Sequence, residues 1–408
     1  MSSQHRSYTI PMIIIGALFF VFGFVTWVNS VLIPYLKIAC ELSDVESYLV
    51  ATAFYIAFTI MAVPASLVLK KTGYKRGMAI GLFTMAVGAI IFIPAANTRN
   101  FNIFLLGLFV IGTGLALLQT AANPYASVLG PIESAATRIS IMGICNKIAG
   151  FISIWIFASI TLENSDALVA RLKTLPALEK AAELDQLASR VINPYIIITC
   201  VLVVLAIAIL FSSLPDIKDE VEDKPVSDNF QKSTKTSVFQ FPHLLLGVLA
   251  LFLYVGVEVI AMETVINYGK SLGIELQIAK DFPLITLTCM TIGYIIGILT
   301  IPKYISQAMA LRASAILGVI FTLGAVVTSG YTSVTFIILL GLANSLMWPA
   351  IFPMAIDGLG QYTKTGAAML IMGISGGAIL PLIYGALSKP NLLGSTHAYF
   401  VLIPCYLF

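Results

Sequence analysis

Charge is what this sequence has least of. Only 11% of its 408 residues are Asp, Glu, Lys or Arg, while 59% are hydrophobic. A water-soluble domain carries roughly 25% charged residues, so the composition excludes one. Histidine is scarcer still: His5, His243 and His397 fall at the terminus or at the ends of apolar runs. There is no HExxH, no GxSxG and no phosphate-binding glycine-rich loop, so nothing points to an enzyme. The five cysteines (Cys40, Cys145, Cys200, Cys289, Cys405) are odd in number and form no CxxC. They read as small buried hydrophobes, neither disulfides nor metal ligands. The first apolar run has no small-residue cleavage site leading into a soluble domain, so it reads as a span and not a signal peptide.

What the chain does have is apolar runs of about 20 residues, each long enough to cross a bilayer core of roughly 30 Å. They fall at about 9–36, 47–69, 77–96, 101–128, 138–162 and 194–214, then 243–268, 281–302, 308–329, 332–356, 366–387 and from 397 onward. The expectation is an all-α integral membrane protein with a six-span bundle over 1–214, a linker over 215–242 and a second bundle over 243–408. The linker is charged and rich in Ser and Thr, a composition that cannot bury a core. The last run has only 12 residues, too few to cross, so its helix is expected to be truncated here and to continue past Phe408.

Lys70, Lys71, Lys75 and Arg76 lie between spans two and three, and Arg138 between four and five; the opposite side has only Lys37 and Arg99 in its short connections. The positive-inside rule then puts the N-terminus, linker and C-terminus in the cytoplasm. The longer outer connection, 163–193, reads as an amphipathic surface helix. The halves also resemble each other. "GALFFVFGF" at Gly16–Phe24 parallels "LALFLYVGV" at Leu249–Val257, an offset of 233, and "IMGI" recurs at Ile141–Ile144 and Ile371–Ile374, an offset of 230. Two parallel six-span repeats are the arrangement of the major facilitator class, with its site between the halves.

Polar side chains inside these runs are the candidate site. Span four carries Gln119, Thr120 and Asn123; Gln119 and Asn123, four apart, share a helix face. Amides offer donors and acceptors together, which suits a neutral polyhydroxyl solute; they can equally bridge helices. Span one adds Trp27, Asn29 and Ser30, span five Ser140 and Asn146, span seven Tyr254, Glu258, Glu263 and Asn267, and span ten Asn344, Trp348 and Asp357. Trp and Tyr rings can pack on sugar C–H faces while their polar tips reach hydroxyls. Ionisable groups at membrane depth are functional by default, which singles out Glu258 and Glu263. Five residues separate them, roughly 140° of helix, so at most one is expected to face the cavity squarely. Either could carry a proton or join a sodium site.

These residues resemble the fucose permease and glucose/galactose transporter family of the major facilitator superfamily over almost the whole chain. "NSVLIPYLK" (Asn29–Lys37) is similar to the family's Asn-Asp-x-Leu-x-Pro, and "QTAANPYASVLGP" (Gln119–Pro131) to its Glu/Gln-Thr-Ala-Ala-Asn-Pro. "RISIMGICN" (Arg138–Asn146) and "FLYVGVEV" (Phe252–Val259) resemble its spans five and seven. The resemblance implies hexose or deoxyhexose import by cation symport. It also implies differences, because Ser30 stands where the family has its proton-carrying Asp, and Gln119 where fucose permease has Glu. Gln at that place resembles the glucose/galactose branch, as does Glu258. Under the repeat offset Ser30 corresponds to Glu263, so the coupling carboxylate is expected to have moved to span seven. In "SLVLKKTGYKR" (Ser66–Arg76) Lys70 replaces the Asp of many facilitators, which puts a charge latch there in doubt.

The expected protein is a monomeric inner-membrane importer of a neutral glucose- or galactose-type hexose, coupled to H⁺ or Na⁺, with no other cofactor and no nucleic-acid partner. Asn29, Gln119, Asn123, Asn146 and Asn267 are the expected sugar ligands, with Trp27, Tyr254 and Trp348 as platforms. A sodium site near Glu258 or Glu263, a uniporter, an N-acetylglucosamine permease and a sugar sensor on the same scaffold are the alternatives.

Overall fold

A computed structural model describes residues 9–128, 135–212, 237–301, 303–359 and 362–408, with side chains except at 9–10, 70, 123–140 and 363–364. The expected linker therefore lies mostly outside the described residues, as do the side chains of Lys70, Asn123 and Ser140. Among the described residues all regular structure is helical. That is what hydrocarbon demands of a spanning segment, since the helix satisfies its own backbone groups without water.

Among the described residues eleven helices are long and apolar enough to cross a membrane, and their order matches the first eleven expected runs. The twelfth place is taken by the short turns Gly394–His397, Ala398–Val401 and Leu402–Leu407. They pack on spans seven and nine through the buried Tyr399 and Tyr406. Ile60, Val87, Trp155, Val204, Leu299 and Ile316 turn outward and exposed. Lipid tails are as apolar as these side chains, so such a surface is stable in a bilayer.

Within the first six spans, one packs on five, and two and three pack on four and six; among the later ones, seven packs on ten and eleven, and eight and nine on ten. Two seams join the sets. Spans two and eleven meet where Thr52 Oγ1 donates to the Ala378 carbonyl at 2.8 Å, and spans five and eight meet along Gly143 and Tyr294. Spans two and three are two helices within Leu49–Thr98, joined where Gly73 leaves helical geometry with φ 75°. That left-handed value is open to glycine at little cost.

Two helices are interrupted at comparable places. Span one stops at Trp27 and resumes at Asn29, and span seven stops at Glu263 and resumes at Val265. Interrupted helices are how transporters bring polar groups to mid-membrane.

The outer connection folds as two helices, Ser165–Leu172 and Ala177–Ser189, not one. Pro176, at the start of the second, cannot continue the first. The amphipathic pattern is met by burying Leu184, Leu187 and Ala188. The Tyr35 hydroxyl fastens this face by donating to the Leu187 carbonyl at 2.8 Å.

Candidate substrate and ion-coupling site

Glycine brings the first pieces together. A Cβ on Gly23 would lie 1.9 Å from the Asn146 carbonyl, and one on Gly150 would lie 2.3 Å from Trp27 Cδ1. Only bare backbone lets spans one and five approach this closely and leaves room for the indole. Trp27 Nε1 then donates to Asn146 Oδ1 at 3.0 Å, and Asn146 Nδ2 donates to the Phe19 carbonyl at 3.4 Å.

The next residue, Lys147, is turned about 100° around the helix and reaches the other half of the molecule. Its Nζ lies 3.3 Å from Glu258 Oε1. The same ammonium lies 4.1 Å from the centroid of the Trp27 ring and 6.0 Å from that of Tyr294 on span eight. Lys147 is 6% exposed and Glu258 9%. A lone buried charge costs several kcal/mol, and pairing plus ring contact offsets much of it. Four spans (one, five, seven and eight) therefore converge on one self-neutralised pair between aromatic faces.

Glu263 has a different environment. It is 1% exposed, Tyr55 of span two donates to its Oε1 at 3.1 Å, and its Oε2 has no partner. Among the described residues no Lys, Arg or His pairs with it. The two glutamates of span seven thus meet different partners across the inter-half interface. The 140° between them aims each at a different helix of the first half, Glu258 at span five and Glu263 at span two. Nor is Glu263 a solvated end residue, since it is buried against the Tyr55 hydroxyl.

The remaining expected residues are dispersed. Tyr254 lies one turn before Glu258 and is buried. Trp348 is half-buried and stacks on Phe352, centroids 5.7 Å apart. Gln119 and Thr120 are half-buried on span four, and Thr120 Oγ1 is turned back to the Ala116 carbonyl at 2.7 Å. Asn344 Oδ1 accepts from the Tyr406 hydroxyl at 2.8 Å, so it ties span ten to the final helix. Asp357 is exposed.

Asn29 is 0% exposed and among the described residues neither of its side-chain polar atoms has a partner. It borders a void of about 10 Å³ among Phe54, Leu108, Ile111 and Tyr195, inside the first bundle and away from Trp27 and Asn146. Asn267 lines a separate cavity of about 250 Å³ at the Lys37 end, with Lys37, Lys173, Lys180 and Lys270 around it. Burial, then the neighbouring Lys37, push the Lys270 ammonium below its usual value. Over that end Asp166 of the first half accepts from the backbone N–H of Leu276 at 3.0 Å and of Gln277 at 2.8 Å, across to the second half. The Lys37 end is thus closed.

Sequence reasoning passed over Lys147, Tyr55 and Tyr294. The first had a readable signal, since a lysine inside an apolar run is as conspicuous as a glutamate there. The tyrosines had none, because nothing in a span's own sequence says which aromatic residue meets a carboxylate on another.

With this geometry in hand, comparison with known proteins adds context. Residues 15–382 match the Major Facilitator Superfamily. A glucose/galactose transporter of Brucella abortus biovar 1 (strain 9-941) is 32% identical, over 99% of this chain and 93% of its own. An L-fucose-proton symporter of Escherichia coli (strain K12) is 30% identical, over 95% of this chain and 89% of its own. A crystal structure of the facilitator FucP in the outward conformation superposes with TM-score 0.76 at 28% identity, covering 98% of this chain and 97% of that one.

Proposed function

Because this chain belongs to the Major Facilitator Superfamily, a family of membrane transporters and not of enzymes, we propose that it imports a neutral hexose of the glucose or galactose kind by proton symport. One observation carries the substrate class: the charges at the inter-half site, Lys147 and Glu258, cancel each other at 3.3 Å. Around the pair stand the Asn146 amide and the Trp27 and Tyr294 rings. Such a site has hydrogen-bonding groups for hydroxyls and no net charge with which to hold an ionic solute. The names of the relatives, a glucose/galactose transporter and an L-fucose-proton symporter, favour the same reading.

Sugar is held by Gln119, Asn123 and Asn146, with Trp27, Tyr254 and Trp348 as the faces on which the ring rests. Asn29 and Asn267, turned elsewhere with the Lys37 end closed, join the site only if the halves rearrange. Glu263 takes the proton. It is buried, and among the described residues no Lys, Arg or His neutralises it. The bilayer is the bacterial-type inner membrane, with the N-terminus cytoplasmic and the Lys37 end external. The bundles over 1–214 and 243–408 rock about the site, and the protein acts as a monomer.

Radiolabelled glucose and galactose uptake into proteoliposomes, under separately imposed proton and sodium gradients and with competitor sugars, tests this. Accumulation above equilibrium under a proton gradient alone is expected. Equilibration without accumulation under either gradient would leave a uniporter, and competition only by N-acetylglucosamine would leave an amino-sugar permease.

A further inference from the structure

Glu258 and Glu263 sit five residues apart on one helix, yet a lysine of the other half serves only the first. We propose that Lys147 is a tethered cation: its ammonium occupies the place at Glu258 that a transported cation would otherwise fill, leaving Glu263 as the sole coupling carboxylate. The inference deepens the hexose-proton reading and rests on it for its transport consequence.

Three observations carry it. Lys147 Nζ is 3.3 Å from Glu258 Oε1, and the pair bridges the two halves. The ammonium is held on its other side by the Trp27 ring at 4.1 Å, and that indole is itself fixed by Asn146. Glu263, by contrast, has one hydroxyl donor and one free oxygen. A carboxylate matched by an ammonium has its charge neutralised on the chain itself, whereas an unmatched buried one can be neutralised only by a cation from outside. A facilitator with two buried carboxylates on one span can therefore couple to a single cation, the second being carried permanently on its own chain.

The placement also ties the cation to the sugar site. Lys147 follows Asn146 in sequence, and Trp27 touches both. Sugar bound against the indole therefore lies beside the inter-half charge pair, without needing a charge of its own.

The inference is tested by removing the tethered charge. The groups around Glu258 besides Lys147 are Tyr254 on its own helix, Tyr294 of span eight, Tyr55 of span two and Tyr406 of the final helix. None of these supplies a positive charge. In Lys147→Gln the buried carboxylate must take a proton from solvent. The folded state then binds that proton more tightly than the unfolded chain, and stability falls as pH rises. Melting temperatures of the purified protein between about pH 5 and about pH 8 should show this loss in Lys147→Gln. The doubly neutral Lys147→Gln/Glu258→Gln should run parallel to the parent, because removing both partners leaves no unpaired charge. A Lys147→Gln profile parallel to the parent, or a double variant as pH-sensitive as the single, overturns the proposal. This comparison uses no sugar, so it judges the pair even if the hexose assignment fails. In proteoliposomes, Lys147→Gln should move one more proton per hexose than the parent, read from the membrane potential that just halts uptake. An unchanged ratio also overturns the proposal, while a parent that moves no hexose at all refutes only the substrate reading.

Discussion

Asp166 offers a direct handle on the closed Lys37 end. It lies on the helix Ser165–Leu172 of the first half, and its two oxygens accept from the first backbone N–H groups of the helix Leu276–Ala279 in the second, at 3.0 and 2.8 Å. The residue preceding that helix, Glu275, makes no side-chain cap of its own, so Asp166 caps the helix from the opposite half. Hydrogen bonds to a charged acceptor contribute about 1.5–3 kcal/mol each when buried, and a helix cap about 0.5–2 kcal/mol. Asp166 is half-buried, so a combined contribution of about 1–2 kcal/mol is reasonable. Because the contact exists only while the halves meet here, Asp166→Ala should raise the population open at this end about 5- to 30-fold. Asp166→Asn keeps one acceptor and should have a smaller effect.

The assay is maleimide labelling in nanodiscs of Asn267→Cys, placed in the cavity beneath this cap, in a variant with the five native cysteines replaced. Both membrane faces are accessible in a nanodisc, so the measurement does not depend on orientation. The labelling rate should rise by the same factor, with Asp166→Asn between parent and Asp166→Ala. Equal rates in all three would show that the two hydrogen bonds do not hold the end closed, and the reasoning from cap energies would fail.

Three other outcomes follow from the site. Glu263→Gln should abolish proton-driven accumulation while leaving hexose exchange across an equilibrated membrane; Tyr55→Phe, which removes the one donor to that carboxylate, should lower but not abolish accumulation, and unimpaired accumulation in Glu263→Gln refutes the coupling role. Asn29→Leu exchanges a buried amide with no partner among the described residues for an apolar group of similar size, and should stabilise the protein by about 1–3 kcal/mol in thermal melts. A loss of stability there would mean that the amide is satisfied in another conformation. Gly150→Ala brings a methyl to 2.3 Å from Trp27 Cδ1, so the indole must leave Asn146; hexose affinity should fall about tenfold or more, at a cost of about 1–3 kcal/mol, and unchanged affinity would remove Trp27 from the site.

Much of the architecture was legible in the sequence because a bilayer limits what a chain can do. Length and hydropathy placed the eleven helices that, among the described residues, are long and apolar enough to cross. The site was legible in part. Glu258 and Glu263 stood out because ionisable groups are rare at that depth. Lys147 carried the same signal yet was hidden behind the motif ending at Asn146. Its partner could not be read at all, since residues 111 positions apart are brought together only by how two bundles dock.

By itself, then, the sequence determined that this chain spans a membrane repeatedly, that it resembles sugar facilitators, and which ionisable groups lie within its spans. Those properties are local: they follow from the composition of each run and its fit to a slab of hydrocarbon. Only the tertiary structure decided how the charges are shared, with Glu258 matched to Lys147, Glu263 left to a tyrosine, and Asn29 turned into its own bundle. The physical reason is that buried electrostatics falls steeply with separation and depends on a few ångströms between helices. Those few ångströms are set by glycines such as Gly23 and Gly150, whose effect lies in the backbones they let approach.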